Sequence, residues 1–376
     1  MPVRFIPELT RVVPYQPGLP IEVVQRQYGL ETVVKLASNE FPLPPFPEVK
    51  EVIAGALDRL QRYPDGFSTD VRVAVGEFYG RDPEGVTVGC GTCELLFLLG
   101  HAILERGDEV VLATPSFTSY RDVIDIRGAV PVEVPLREYA HDLDAMAAAV
   151  TPRTKLIFVC NPNNPTGTYV PAAAIARLVE RVPDDVTVVI DEAYIEFVTE
   201  ADRDGSLAIQ KEHDNVVLLR TFSKIYGLCG LRTGFGLCAP EVKHALDKVR
   251  QPFNVNLLGQ LAAVEALKHQ DQVALRREQN AELRAYLVER LAERARATVP
   301  SQANFMLVDM NDLCDPHDQV CKTLLTLGAI VRDGNALGCP GWARVTVGTR
   351  EEIDFFLEKL ASLERDGGAA GDGRPR

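Results

Sequence analysis

Lys224 ends a polar segment, RTFSK (220–224), that directly follows a run of apolar residues. Three further polar segments follow apolar runs in the same way: GCGTCE (89–94), CNPNNPTG (160–167) and DEAY (191–194). A lysine amine can form a Schiff base, a carboxylate such as Asp191 can hold a protonated nitrogen, and a Gly-rich turn before a helix can bind phosphate. Each segment alone is a weak indication, because Asn, Pro and Gly also dominate ordinary turns.

The elements that precede these segments predict that they meet in space. Strands are predicted at 86–88, 109–113, 130–134, 155–159, 186–190 and 215–219, with helices at 94–104, 119–127 and 171–182. This alternation favours an α/β fold with a large, mostly parallel sheet. Ligands of such sheets bind beyond the carboxyl ends of the strands, so the four polar segments should share one edge.

The pattern changes near residue 256, which predicts a second domain. Helices are predicted at 272–295, 318–328 and 350–364, and strands at 304–310 and 343–348. We therefore expect an N-terminal arm (1–38), a large α/β domain (39–255), a smaller α+β C-terminal domain (256–365) and a disordered tail (366–376).

The composition limits the classes of partner. The 376 residues include 40 Lys and Arg against 53 Asp and Glu, a net charge of −13, which argues against nucleic acids and anionic membranes. No run approaches the roughly 18 apolar residues of a membrane span. The N-terminal residues do not resemble a signal peptide, and the eight cysteines are scattered, so we expect reduced thiols and a cytoplasmic protein.

Taken together, the polar segments meet the needs of pyridoxal 5'-phosphate (PLP). This cofactor requires a lysine, a carboxylate at its pyridine nitrogen, donors to its phenolate oxygen, and a phosphate site of helix N–H groups, hydroxyls and a cation. Lys224, Asp191 and Tyr194 with Asn164 meet the first three needs. The candidates for the phosphate are Gly91, Thr92, Cys93, Ser223 and Arg232.

Several motifs resemble those of the class II, fold-type I PLP-dependent aminotransferases. The most specific are NPNNPTG (161–167), DEAYIEF (191–197) and RTFSKIYGLCGLRTGFG (220–236). Three further similar segments are RYPD (62–65), KVRQPFNVN (248–256) and RVTVGTREE (344–352). The resemblance extends from residue 14 to about residue 363 and is strongest to members that act on histidinol phosphate.

The resemblance implies roles for the residues around the cofactor. Lys224 would carry PLP and, once released by substrate, move the proton during the reaction. Asp191 would hold the pyridinium, Tyr194 and Asn164 would donate to the phenolate oxygen, and Phe117 would stack on the ring. Gly91, Thr92, Cys93, Ser223 and Arg232 would form the phosphate site.

The resemblance also implies a substrate site and an assembly. Arg344 would bind the anionic group of the substrate, with Arg332 near it, and Tyr15 and Asn39 would lie on the substrate side. Tyr63 would reach the cofactor phosphate of a neighbouring subunit, so active sites would be complete only in a homodimer.

The implied reaction exchanges an amino group between L-histidinol phosphate and 2-oxoglutarate, giving imidazole-acetol phosphate and glutamate, in histidine biosynthesis. An aromatic amino acid aminotransferase and a PLP-dependent phospho-amino-acid decarboxylase are alternatives that share most of these residues. A PLP-sensing regulator would need an N-terminal DNA-binding module, for which residues 1–38 are too short.

Cys90 and Cys93 have the spacing of a redox or zinc pair, which leaves another alternative. No second pair or nearby His completes a zinc site, so we expect no metal and interpret the segment as the phosphate site. Cys93 stands where the family usually has an acidic residue. A thiol at a helix N-terminus is expected to have a lowered pKa and to oxidise readily.

Overall fold

The protein is described by a computed structural model that covers residues 3–14, 18–311, 313 and 320–370, with side chains to residue 364. The strands in this part of the chain are β1 (Val34–Leu36), β2 (Val86–Gly89), β3 (Glu109–Thr114), β4 (Val130–Pro135), β5 (Thr154–Cys160), β6 (Thr187–Asp191), β7 (Val216–Thr221), β8 (Gly234–Leu237), β9 (Phe305–Asp309), β10 (Ala329–Asp333) and β11 (Trp342–Thr346).

The α-helices of the described residues are α1 (Ile21–Tyr28), α2 (Pro47–Ala54), α3 (Thr69–Tyr79), α4 (Thr92–Ile103), α5 (Ser119–Arg127), α6 (Leu143–Ala148), α7 (Ala172–Val179), α8 (Ser206–Glu212), α9 (Pro240–Val249), α10 (Leu257–Leu267), α11 (Gln270–Ala292), α12 (Val320–Thr326) and α13 (Arg350–Ala370). None of these helices is both long enough and apolar enough to cross a membrane.

The larger sheet has the strand order β2-β8-β7-β6-β5-β3-β4. Only β8 runs antiparallel to its neighbours, so the predicted α/β fold with a mostly parallel sheet is confirmed. Every predicted strand of this sheet is present with slightly different ends. The sequence missed β8, because its residues GFGL resemble a glycine-rich loop as much as a strand.

Successive residues of the central strands pack into two different cores. Val111 of β3 joins a core with α2, α3, α6 and α7, whereas its neighbours Val110 and Leu112 join a core with α4 and α5. Because strand side chains alternate between the two faces, helices cover both sides of the sheet and the strands are nearly uniformly apolar.

The smaller sheet has the order β1-β10-β11-β9. Its β1 comes from the segment expected to be an N-terminal arm, and it pairs in parallel with β10. The three-residue β1 and the strand β10 are too short and too mixed in composition to be distinguished from loops in the sequence. In the pair of β10 with β11, Arg332 lies directly opposite Arg344.

The structure differs from the sequence-based expectation at two boundaries, the one between the two domains and the one at the start of the C-terminal tail. Helix α10 lies after the expected boundary at 255, yet Ala262, Ala263 and Ala266 of α10 pack in the core of the larger sheet, against α2 and α3. Helix α13 runs to Ala370, past the expected boundary at residue 365, although Gly367 and Gly368 disfavour a helix. The expected disorder of the tail stays a prediction.

Candidate active site

The four polar segments lie along one edge of the larger sheet. Strands β2 and β7 are both antiparallel to β8 and therefore point the same way as β5 and β6. The loops after these strands border a cavity of about 530 Å³. Its predicted lining residues are Thr92, Cys93, Phe117, Asn164, Asp191, Tyr194, Ser223, Lys224 and Arg232, and Cys160, Ala193 and Thr221 also line it.

Lys224 extends from the turn after β7 into this cavity. Its Nζ atom lies 5.4 Å from the centre of the Tyr194 ring and forms no hydrogen bond or ion pair with any described residue. Burial, and then the charge of Arg344, lower the pKa of the Lys224 amine to about 8. A neutral amine is therefore accessible near neutral pH, as nucleophilic or basic chemistry requires.

Asp191 is the last residue of β6, and its carboxylate is buried. The Tyr120 hydroxyl donates to Asp191 Oδ2 over 2.9 Å, and the Ala193 N–H donates to Oδ1 over 3.3 Å. Burial raises the pKa of Asp191 to about 6. No described cation forms an ion pair with this carboxylate, so a cationic ligand would relieve the cost of its burial.

Tyr120 was not identified from the sequence. It lies in α5, is fully buried and stacks on Phe158 with the ring centres 4.5 Å apart. Nothing in the segment SYRDVIDIR distinguishes this tyrosine from an ordinary core residue. Only the packing of α5 against the sheet brings its hydroxyl to Asp191.

A buried hydrogen-bond network joins the expected cofactor residues to the expected substrate residues. Asn164 and Asn39 each donate from Nδ2 to the Tyr194 hydroxyl, over 3.4 Å and 3.1 Å. Arg344 donates from Nη1 to Asn164 Oδ1 over 2.6 Å and from Nη2 to the Ala37 carbonyl over 2.8 Å. Burial raises the pKa of Tyr194, so this phenol remains protonated and can donate.

The N-terminus of α4 and Arg232 form a compact positive pole. Gly91 has a left-handed φ of 77°, and a Cβ atom built on it would lie 2.6 Å from Arg232 Nη2. Arg232 Nη1 donates to Ser223 Oγ over 3.4 Å. Free helix N–H groups, a guanidinium and a hydroxyl together are suited to a phosphate.

The expectation for Cys93 was wrong. Burial, followed by the charge of Asp191, raises the pKa of the Cys93 thiol, and these effects outweigh Arg232 and Lys224. The thiol is therefore protonated and less reactive than a helix N-terminus alone suggests.

A different carboxylate contacts the backbone of the predicted phosphate segment (89–94). It belongs to Glu94, which was not selected as a site residue from the sequence. Glu94 Oε2 accepts from the Cys90 N–H over 2.5 Å and from Asn254 Nδ2 over 2.7 Å. An acidic residue in the first turn of a helix was the available signal. Among the described residues, no group of three or more His, Cys, Asp or Glu side chains could hold a metal ion.

Six expected site residues are not among the residues that line the cavity. Gly91 directly precedes the lining residue Thr92, and Asn39 and Arg344 hydrogen-bond to the lining residues Tyr194 and Asn164. The other three are Tyr63, Arg332 and Tyr15. Tyr63 is 81% exposed and stacks on Phe253 at 4.6 Å, and it does not line the cavity of its own chain. Arg332 is placed beside Arg344 but is not among the lining residues. Tyr15 lies outside the described residues.

The residues present fit PLP. An unpaired lysine amine and a buried carboxylate without a cation line the same cavity. The glycine cradle beside Arg232 leaves room that any side chain at residue 91 would fill. These features match the aldehyde, ring nitrogen and phosphate of this cofactor.

Comparison with known proteins defines the class. A family model described as aminotransferase class I and II matches residues 31–360, and the chain belongs to this family. A solved structure of aspartate aminotransferase from Thermus thermophilus with maleate superposes with a TM-score of 0.83 at 26% identity, covering 96% of this chain and 100% of that one. The fold is therefore fold-type I, and the protein is an enzyme that transfers amino groups.

Several similar proteins within the family are histidinol-phosphate aminotransferases. The histidinol-phosphate aminotransferase of Moorella thermoacetica is 44% identical over 367 residues, 96% of this chain and 94% of that protein. That of Brevibacillus brevis is 44% identical over 349 residues, 93% and 95% of the two chains. The structure of histidinol-phosphate aminotransferase from Sinorhizobium meliloti in complex with pyridoxal-5'-phosphate superposes with a TM-score of 0.87 at 27% identity, covering 96% and 98%.

Proposed function

We propose that the protein exchanges an amino group between L-histidinol phosphate and 2-oxoglutarate, with PLP as its cofactor, in histidine biosynthesis. The reaction is reversible, giving imidazole-acetol phosphate and glutamate. The observation that carries the proposal is the cavity lined by the amine of Lys224, the carboxylate of Asp191 and the amide of Asn164, which accepts a hydrogen bond from Arg344. The relatives of 41–44% identity support the choice of substrate.

Several side chains would hold the cofactor. Asp191 would pair with the ring nitrogen, and Tyr194 and Asn164 would donate to the phenolate oxygen. The α4 N-terminus would hold the phosphate together with Ser223 and Arg232. When bound, PLP supplies an electron-deficient ring that accepts the electron pair released at the amine-bearing carbon of the substrate.

Lys224 would move the proton. Its Nζ atom would take the proton from the amine-bearing carbon of the substrate, hold it and later give it up, so that the amine is neutral again for the next turnover. The amine must be neutral for the first transfer, and its lowered pKa of about 8 provides that form. The ring of Tyr194 beneath Nζ limits the directions from which the amine can approach.

Arg344 would bind the anionic group that both substrates carry. Its guanidinium is buried and oriented by Asn164 and by the Ala37 carbonyl, and its charge already lowers the pKa of Lys224. Arg332 lies opposite it on β10, so two cations stand side by side. A planar guanidinium can pair with a phosphate or a carboxylate in two-point geometry, which suits both histidinol phosphate and 2-oxoglutarate.

The proposal includes a homodimer with shared active sites. Tyr63 is 81% exposed, and Leu57, Leu60 and Phe67 of the same chain segment are 52%, 55% and 63% exposed. These exposed apolar side chains suit contact with a second copy of the chain, whose Tyr63 would reach the cofactor phosphate. A monomer in sedimentation, or unchanged PLP affinity of Tyr63→Phe, would contradict this part.

The seven described cysteines are free thiols, which fits a reducing compartment. The cytoplasm is therefore the compartment in this proposal.

The test is the visible absorbance of the cofactor-loaded protein during titration with L-histidinol phosphate and, separately, L-phenylalanine. The band should respond at concentrations at least about tenfold lower for histidinol phosphate, because its phosphate carries more negative charge towards Arg344 and Arg332 than the carboxylate of phenylalanine does. Arg344→Lys should reduce this preference, and Lys224→Ala should abolish repeated turnover. A preference for phenylalanine would instead support an aromatic amino acid aminotransferase. Release of carbon dioxide from threonine phosphate, which unlike histidinol phosphate has a carboxyl group, would support a phospho-amino-acid decarboxylase.

A further inference from the structure

Arg276 of α11 is a buried cation without a carboxylate partner among the described residues. It donates from Nη1 to the Ile225 carbonyl over 2.7 Å and from Nη2 to the Pro44 carbonyl over 2.5 Å. Its guanidinium carbon lies 4.9 Å from the ring centre of Phe41 and 4.1 Å from that of Phe46. Burial lowers the pKa of Arg276 to about 10. The two carbonyl groups and the faces of the two aromatic rings stabilise its positive charge.

The first of these carbonyls belongs to the turn that carries Lys224. The Gly227 N–H donates to the Lys224 carbonyl over 2.9 Å, which closes a four-residue turn. The Ile225 carbonyl belongs to the central peptide of this turn. Turn types I and II differ by rotation of that peptide, so a hydrogen bond to its oxygen selects one orientation.

The second carbonyl belongs to the connector that leads from Asn39 to α2. A Cβ atom on Gly227 would lie 3.1 Å from the Leu43 carbonyl oxygen and 3.4 Å from Arg276 Nη1, so the turn, the connector and the guanidinium are in direct contact. Asn39, at the start of the connector, donates to Tyr194 in the cavity. One side chain therefore joins the lysine turn to the substrate side of the site.

We propose that Arg276 is a positioning residue that fixes the turn of Lys224 against the connector and so directs its amine into the cavity. The inference rests on the proposed role of Lys224. Arginine is required because its planar fork reaches two carbonyls at once, whereas a lysine is a single point charge. A methionine of similar length would leave two buried carbonyls without donors.

The test compares Arg276→Met with Arg284→Met in the cofactor-loaded protein. Arg284 is a suitable control because it lies on the same helix, is partly buried and donates to the Ala303 carbonyl over 3.1 Å. Arg276→Met should lower kcat at least about tenfold, since small displacements of a catalytic group are costly, with KM for histidinol phosphate within about threefold. The pH midpoint of the visible cofactor band should shift, and Arg284→Met should leave both quantities within about twofold.

Two further measurements separate positioning from general stability. Guanidinium ion added to Arg276→Ala should restore part of kcat, because it can occupy the vacated position. Arg276→Lys keeps the charge and one hydrogen bond, so it should fold and still show the shifted band if Arg276→Met does not fold.

Equal effects of Arg276→Met and Arg284→Met, or an unchanged band in Arg276→Lys with full kcat, would overturn this inference alone. A wild-type protein that binds no PLP would overturn the proposed function and the inference with it.

Discussion

Removing the hydroxyl of Tyr120 tests how the buried carboxylate of Asp191 remains ionised. The hydroxyl donates to Asp191 Oδ2 over 2.9 Å, and the weaker bond from Ala193 N–H spans 3.3 Å. Burial has already raised the pKa of Asp191 to about 6. Tyr120→Phe keeps the ring that stacks on Phe158, so the packing should be preserved.

The expected magnitude follows from the charge on the acceptor. A hydrogen bond to an ionised group contributes about 1.5–3 kcal/mol, and about 1.4 kcal/mol corresponds to one pKa unit. The pKa of Asp191 in the cofactor-free protein should therefore rise by about 1–2 units, to roughly 7–8. Only the ionised carboxylate pairs with a cationic ring nitrogen, so PLP affinity is lost as the pH falls through this pKa, about tenfold per unit.

The assay is a PLP titration of the cofactor-free protein at a series of values between about pH 5 and pH 8. Affinity should begin to fall near pH 6 in the wild type and between roughly pH 7 and 8 in Tyr120→Phe. Tyr79→Phe is the matched control, because the partly buried Tyr79 hydroxyl accepts a hydrogen bond from Arg220 Nη1 over 3.2 Å and neither residue lines the cavity. The titration of PLP itself is common to all three proteins and cancels in the comparison.

If the affinity of Tyr120→Phe falls at the same pH as that of the wild type, the hydrogen bond does not keep Asp191 ionised. Desolvation alone would then set the pKa of Asp191. An equal shift in Tyr79→Phe would also refute the reasoning, because it would indicate a general effect of lost hydroxyls.

Three other substitutions or conditions have defined outcomes. Gly91→Ala should lower PLP affinity at least about tenfold, because its Cβ lies 2.6 Å from Arg232 Nη2. Gly107→Ala is its control, since it has a left-handed φ of 92° but no atom within 4 Å of the added Cβ; equal loss in both would refute a specific contact. Arg220 forms a buried ion pair with Glu192. Arg220→Met leaves the Glu192 carboxylate without this cation, so the free energy of unfolding in urea should fall by about 3–5 kcal/mol. The rate at which Lys224 captures PLP should rise with pH and level off above about pH 8, because only the neutral amine reacts; a flat profile would contradict this.

The strands of the larger sheet, apart from β8, could be predicted because burial on both faces requires a run of consecutive apolar residues. Val110, Val111 and Leu112 are all apolar, and each is buried on one face or the other. Strands β1, β8 and β10 have no such long run of apolar residues. Strands β1 and β8 have only three and four residues, and β10 combines apolar residues with Arg332 and Asp333, so local composition does not distinguish them from loops.

The types of residue at the site were also accessible from the sequence. Lys224, Asp191, Asn164 and Arg232 each lie near a strand end or in a specific motif. The first three lie at or shortly after the ends of β7, β6 and β5, which meet at one edge of the sheet. Their assigned roles remain predictions for the experiments above.

Tyr120 and Arg276 could not be assigned roles from the sequence. Each acts through a partner from another element, such as Asp191, 71 residues from Tyr120, or the Pro44 carbonyl, 232 residues from Arg276. No local pattern records such a contact.

The sequence by itself determined which chemical groups follow which strands, and through them the family and the edge of the sheet where the groups meet. Only the tertiary structure decided their protonation and their partners. Cys93 is the clearest example: its place at a helix N-terminus predicts a lowered pKa, whereas burial near Asp191 raises it. Desolvation and charge interactions add up over atoms from distant segments, so they exist only once the chain has folded.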